Sequence, residues 1–332
     1  MNINYSSDRI PFEISDNCGL YHGMTGHAVI SFLLSKSDHL HKEFHHQHAV
    51  GLLNIVSESI GDLVATDFEN GLSGIGWALE WLAQNNILHI NTDEILEDID
   101  DALYRSVVYT SENDISLRSG DLGKLLYFLY RHNSENEGYC LFRNIAIEEC
   151  LVLVIDRIFE KTCGNNGLIH KETLTNNDLI NVGHLIFFIS DIALSNFPAA
   201  EEMLYKTISF LDGYLEKYSG EAKLSSDSMN PLFFASVCYY LSGWNHVQNY
   251  WMKRARYLIK RYEDLNISIN PENIYLKNLV LNDLNVLDEI DKNLIKGPVS
   301  LTNSNGKLFL KQLCNKRGSF DSNSIITLLL MC

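Results

Sequence analysis

His22, Asp121 and His184 are the side chains best placed for proton transfer in this sequence. Each stands in a glycine-rich step: Gly19-Leu-Tyr-His-Gly-Met-Thr-Gly26, Ser119-Gly-Asp-Leu-Gly123 and Asn181-Val-Gly-His184. Histidine titrates near neutral pH and can act as a general acid or base over a cavity. The plainer alternative is hydrogen bonding at helix starts, with Asp121 favouring the positive N-terminal end. A second set is the run His39, His41, His45, His46 and His48. His41 and His45 are spaced i,i+4, as two metal ligands on one helical face would be, but no acid or thiol partner is well placed, and a solvated helix is the expected account. A third set is basic. Lys253, Arg254, Arg256, Lys260 and Arg261 form either the solvent face of an outer helix or a dock for an acidic peptide. Cys163 and His170 are too loosely spaced to read as a thiol–imidazole pair. Trp77, Trp81, Asp121 and Asp227 are the thin set available for carbohydrate chemistry, which needs aromatic platforms and paired carboxylates.

These residues must be held by helices. The runs 28–34, 75–82, 124–131, 185–194, 232–241 and 307–313 are strongly apolar, and amphipathic segments lie between them at 43–64, 93–109, 143–161, 199–218 and 247–262. Alternating Val/Thr-rich strands and hairpin turn signals are nearly absent. Each apolar run follows a glycine-rich or decayed glycine-rich step. Anchors at Gly26, Gly74, Gly123, Gly183, Pro231 and Gly306 are separated by 48, 49, 60, 48 and 75 residues. A period near 48 is two helices with their loops, so the repeating unit is a helical hairpin. A further unit would fit in the long last interval. The apolar helices are expected to form an inner ring and the amphipathic ones an outer ring. Glycine at the inner helix starts would allow sharp turns and leave backbone N–H groups facing a shared mouth.

Composition narrows the function. Forty-two acidic residues against 26 basic ones give a net charge of −16 over 332 residues. That balance argues against broad nucleic-acid binding and against docking on anionic membranes. The N-terminal segment lacks the basic region and apolar core of a signal peptide, and no stretch is long enough for a membrane span. Seven scattered cysteines without a Cys-x-x-Cys read as reduced thiols, and the expected location is cytoplasmic.

The steps Gly19-Leu-Tyr-His-Gly-Met-Thr-Gly26 and Gly71-Leu-Ser-Gly-Ile-Gly-Trp-Ala-Leu79 resemble the Gly-Leu-x-x-Gly-x-x-Gly repeat of the lanthionine synthetase C-like family. The resemblance follows the repeat spacing over most of the chain and is specific over the first three repeats. It implies a double α-toroid that modifies ribosomally made peptides. Family cyclases add a peptide cysteine thiolate to a dehydroalanine or dehydrobutyrine and close a thioether ring, as in lantibiotic biosynthesis. Zinc, held by a cysteine of a late repeat and a Cys–His pair of the next, activates the thiol, since zinc lowers a thiol's pKa. Here the corresponding late repeat, Asp227-Ser-Met-Asn-Pro231, has no cysteine, no Cys–His dipeptide occurs, and the last histidine is His246. The His–Gly step of a middle repeat meets Val182-Gly183, with His184 displaced.

The expectation is therefore an all-α chain, an α/α toroid of six or seven hairpins forming a single domain over 1–332, with no metal site and no cofactor. Its function would be lanthionine synthetase C-like peptide modification, through a zinc-independent cyclase or, preferably, a non-catalytic pseudoenzyme. Its partner would be a precursor peptide or a partner modification enzyme. The alternative is a carbohydrate-active α/α-toroid glycosidase or lyase.

Overall fold

The structure is a computed structural model that describes residues 17–21, 23–36, 41–110, 114–134, 141–193 and 197–218. His22, His39, Asp227 and the basic run Lys253, Arg254, Arg256, Lys260 and Arg261 lie outside them, as do the expected helices beyond 218. Among the described residues every regular element is helical: α1 (Met24–Lys36), α2 (Lys42–Ser59), α3 (Leu72–Gln84), α4 (Thr92–Ile95), α5 (Glu97–Tyr109), α6 (Asp121–His132), α7 (Leu141–Cys163), α8 (Asn176–Ala193) and α9 (Pro198–Tyr218). Short 3-10 turns follow α2 and α7, at Ile60–Asp62 and Leu168–His170.

The described residues fall into two compact units. The first contains 17–110 and 118–150, and the second contains 114–117 and 151–218. In the first, two kinds of helix alternate. In α1 every residue from Met24 to Ser35 is buried, and α3 and α6 are buried almost all round. By contrast, α2 buries only His45, His48, Ala49, Leu52 and Val56, and α5 only Ile99, Asp100, Leu103, Ser106 and Val107. A helix apolar on all sides needs neighbours on all sides, whereas an amphipathic one covers the layer inside it. Accordingly α1 packs on α2 and α3, and α3 packs on α5 and α6. The second unit repeats the pattern with α8 against α9, whose buried residues Ala200, Met203, Leu204, Thr207, Ile208 and Leu211 form one stripe.

Two local details differ from the periodicity. The segment 93–109 is broken in two: Asn91 accepts the Asp93 N–H at 3.1 Å to start α4, and Leu96 separates it from α5. The fourth glycine-rich step is not a helix start. Thr175 Oγ1 accepts the Asp178 N–H at 3.2 Å, and Asp178 accepts the Thr175 N–H at 2.9 Å and its hydroxyl at 2.8 Å. This reciprocal capping starts α8 at Asn176 and places Gly183 in its interior. Burial works against the Asp178 charge, but the bonds from Lys171 and Thr175 outweigh it and hold the carboxyl below its ordinary value.

The histidine-rich helix α2 is not a uniformly solvated face. His45 and His48 are only 6% exposed, while His41 and His46 are exposed. His48 Nδ1 lies 3.2 Å from the Ser31 hydroxyl of α1, and its ring stacks on Phe44. Burial lowers the His48 pKa below its ordinary 6.5, so the folded chain resists a proton that the unfolded chain accepts. Stability contributed at neutral pH is then lost as the pH falls through the window below that value. His48→Gln should flatten the fall of melting temperature between about pH 7.5 and 5.5; an unchanged slope would remove His48 as its source.

Candidate functional site

The glycine-rich turns feeding α1, α3 and α6 lie side by side in the first unit and are joined through the main chain. The N–H groups of Leu20 and Tyr21 both donate to the Glu69 carbonyl, at 2.9 and 3.0 Å. One repeat later, the N–H groups of Phe68 and Glu69 both donate to the Arg118 carbonyl, again at 2.9 and 3.0 Å. The same double bond is thus made twice, with acceptors 49 residues apart. Asn17 Nδ2 donates to Asn70 Oδ1 at 2.7 Å, and a Cβ at Gly19 would stand 2.5 Å from the Asn70 Cα, so this approach requires glycine. Across the turns the Arg118 guanidinium lies 4.8 Å over the Tyr21 ring and 3.6 Å from the Glu69 carboxylate.

Asp121 is the first residue of α6 and is fully buried. That position suits a carboxylate, because the positive end of the helix dipole lies at the first turn. Lys124, one turn further, is also fully buried, and its Nζ donates to Ser106 Oγ at 2.7 Å. His184 belongs to the second unit. It sits in the middle of α8, 2% exposed, with its ring 6.3 Å from that of Phe188. Asp121 is thus at a glycine-rich helix start as expected, whereas the earlier start of α8 takes His184 away from one.

Trp77 and Trp81 are 0% and 3% exposed, with rings 6.3 Å apart. Trp77 also packs on Phe68 and Tyr130. They are core residues of α3 rather than platforms for a sugar, which removes the aromatic half of the carbohydrate alternative. Cys163 is buried, and His170 is exposed. Burial pushes the Cys163 thiol up, against the lowering influence of Lys206 and Thr207. Among the described residues no three His, Cys, Asp or Glu side chains are grouped so as to hold a metal ion, and no helix is long and apolar enough to cross a membrane.

Among the described residues a buried polar cluster forms around Arg131, outside the candidates read from the sequence. Arg131 of α6 is 1% exposed. It donates from Nη1 to Glu80 Oε2 at 2.9 Å, from Nη2 to Asp100 Oδ2 at 2.7 Å, from Nε to Asp100 Oδ1 at 3.1 Å and from Nη2 to Asp93 Oδ1 at 3.1 Å. The Tyr127 hydroxyl also donates to Asp100. Burial, reinforced by the Asp100 charge, pushes the Tyr127 phenol well above its ordinary value. Burial opposes the Arg131 charge, but the bonds and charge of Asp100 outweigh it and keep the guanidinium ionised. The cluster ties α3, α4, α5 and α6 together. Glu80 lies at its junction with a cavity of about 950 Å³ at the C-terminal ends of α3 and α6, whose lining includes Gln84, Asn86, His89, Asn91 and Asn133. The available sequence signal is a charge within or at the end of an apolar run: Glu80 in 75–82, and Lys124 and Arg131 at the ends of 124–131.

Among the described residues every regular element is helical, and buried helices alternate with amphipathic ones stepped by glycine-rich turns, as in an α/α toroid. Comparison with solved structures agrees. The chain matches nisin cyclase, an α/α toroid, with a TM-score of 0.58 and 13% sequence identity, over 96% of this chain and 93% of that one. At that identity the likeness is one of fold. No protein-family model and none of the curated proteins matches the chain.

Proposed function

We propose that this chain is a lanthionine synthetase C-like protein of the cytoplasm, a single domain over 1–332, that serves the modification of ribosomally made peptides. It binds a precursor peptide or a partner modification enzyme, without zinc and without ring-forming catalysis of its own. The observation that carries this reading is the coincidence of two features: glycine-rich turns stitched together in series, the first of them Gly-Leu-x-x-Gly-x-x-Gly, and the fold shared with nisin cyclase. His22, Asp121 and His184 are the candidates for any residual acid–base step. Lys253, Arg254, Arg256, Lys260 and Arg261 are the candidate dock for an acidic peptide.

The zinc-free reading rests on the sequence: the late repeat Asp227-Ser-Met-Asn-Pro231 has no cysteine, and there is neither a Cys–His step nor a histidine beyond His246. In ring formation the peptide S–H adds across the C=C of a dehydro residue: sulfur bonds to Cβ, and Cα gains a proton. Without a device that holds the thiolate, this chain is left with the binding half of that task.

Two measurements test the proposal. Purified protein treated with a mild chelator should carry substoichiometric zinc by elemental mass spectrometry; tightly held one-to-one zinc would overturn the zinc-free reading. A synthetic peptide carrying one cysteine and one dehydrobutyrine, incubated with the protein, should keep its free thiol. Ring closure leaves mass unchanged but removes one site for thiol alkylation, so alkylation followed by mass spectrometry reads it directly. Protein-dependent loss of the alkylated product would establish a cyclase and sink the non-catalytic reading.

A further inference from the structure

We infer that the groove between α5 and the first half of α7 docks a short peptide segment presenting one large apolar side chain flanked by lysine or arginine. This inference stands apart from the lanthionine reading and uses only the first unit. The groove has a volume of about 340 Å³, at the small end of binding pockets, which suits one anchoring side chain rather than a whole ligand. Its floor is apolar, made by Phe128, Ile147 and Cys150, all 3% exposed or less.

The α7 rim is apolar as well, and it faces solvent. Phe142, which lines the groove, is 83% exposed, and Leu141 and Ile145 beside it are 53% and 52% exposed. A single exposed apolar residue needs no explanation, but three within one short stretch of α7, with Phe142 lining an apolar-floored groove, mark an interaction surface.

The opposite rim is acidic. Glu97 and Asp101 of α5 line it, within a stretch that has acids at 93, 94, 97, 98, 100 and 101. The nearby cations are engaged. Arg143 lies 3.4 Å from Asp93 and 3.7 Å from Asp100, Arg131 is locked between Glu80 and Asp100, and Arg105 is 4.0 Å from Asp101. On the far side Tyr104 donates to Glu149 at 3.3 Å. The groove therefore repels phosphates and carboxylates and complements a cation set beside an apolar anchor. An aromatic or aliphatic anchor in the pocket would supply most of the affinity, with the flanking charges setting the encounter rate.

The test uses a short fluorescein-labelled peptide with one central phenylalanine flanked by lysines, alongside glutamate-flanked and alanine-centred counterparts, in anisotropy titrations with the full chain. The lysine–phenylalanine peptide should bind saturably, and both counterparts should bind at least about tenfold more weakly. Phe142→Ser should weaken binding by about tenfold or more, and Glu97→Lys with Asp101→Lys should weaken it about fivefold and reduce its salt dependence. All three positions face solvent, and unchanged melting temperatures would show that the variants fold. Glu201→Lys, on the exposed face of α9, controls for net charge and should bind like wild type. The inference is overturned if no saturable binding occurs, if the counterparts bind equally well, if the groove variants bind like wild type, or if Glu201→Lys weakens binding as much as they do.

Discussion

Arg131→Met should destabilise the fold by about 3–5 kcal/mol, the largest single effect expected outside the glycine-rich turns. The guanidinium satisfies Glu80, Asp100 and Asp93 at once and is itself almost wholly enclosed. Removing it leaves carboxylates of α3 and α5 in a low-dielectric interior without their counter-charge, and an uncompensated buried charge costs far more than a lost hydrogen bond. Arg143, at 3.4 Å from Asp93 and 3.7 Å from Asp100, can replace only part of the interaction. Adding Glu80→Gln and Asp100→Asn to Arg131→Met should recover a good part of the loss, because neutral groups no longer need the cation. Chemical denaturation of the single and triple variants decides the matter. If the triple variant is less stable than Arg131→Met alone, unpaired charge is not what the cluster guards against.

Gly74→Ala should cost about 3 kcal/mol through overpacking, and Gly74→Val more. A Cβ at Gly74 would meet the Phe68 carbonyl oxygen at 2.0 Å, its carbon at 2.9 Å and the Leu20 Cβ at 3.2 Å. The first two obstacles are main chain, so no rotamer change relieves them, and the turn that holds Phe68 and Glu69 on Arg118 would have to shift. Gly51 supplies the contrast. It lies on the exposed side of α2, where an added Cβ meets nothing within 4 Å. Gly51→Ala should therefore stabilise by up to about 1 kcal/mol through helix propensity. Opposite signs for the two substitutions would place the demand on glycine in the turns. Equal melting shifts would show that Gly74 closes nothing.

The inner helices were legible because burial on all sides leaves an apolar run that needs no partner to be recognised. Thus 28–34, 75–82 and 124–131 fall inside α1, α3 and α6. The start of α8 is not legible from periodicity because Thr175 and Asp178 lie in a polar stretch, while Gly183 carries no capping chemistry. Burial of His45 and His48 was hidden by their residue type, since period alone distributes five histidines around a helix without saying which side meets α1. The Arg131 cluster was half legible. Glu80 and Arg131 each interrupt an apolar run, but 51 residues separate them, and only the packing of α3 on α6 brings them to 2.9 Å. The groove under Phe142 left no trace in the sequence, because its apolar floor is shared between α6 and α7.

The link from one glycine-rich turn to the next has a bearing on how such a chain diverges. Its donors are the N–H groups of Leu20, Tyr21, Phe68 and Glu69, and its acceptors are the carbonyls of Glu69 and Arg118. Every residue type but proline supplies both kinds of group. Apart from glycines such as Gly19 and Gly74, whose missing Cβ makes the approach possible, these positions can exchange side chains without cutting the seam. Side-chain exchange can then erase a consensus while the repeats stay in step, so a likeness of fold to nisin cyclase at 13% identity needs no shared side-chain motif along this seam.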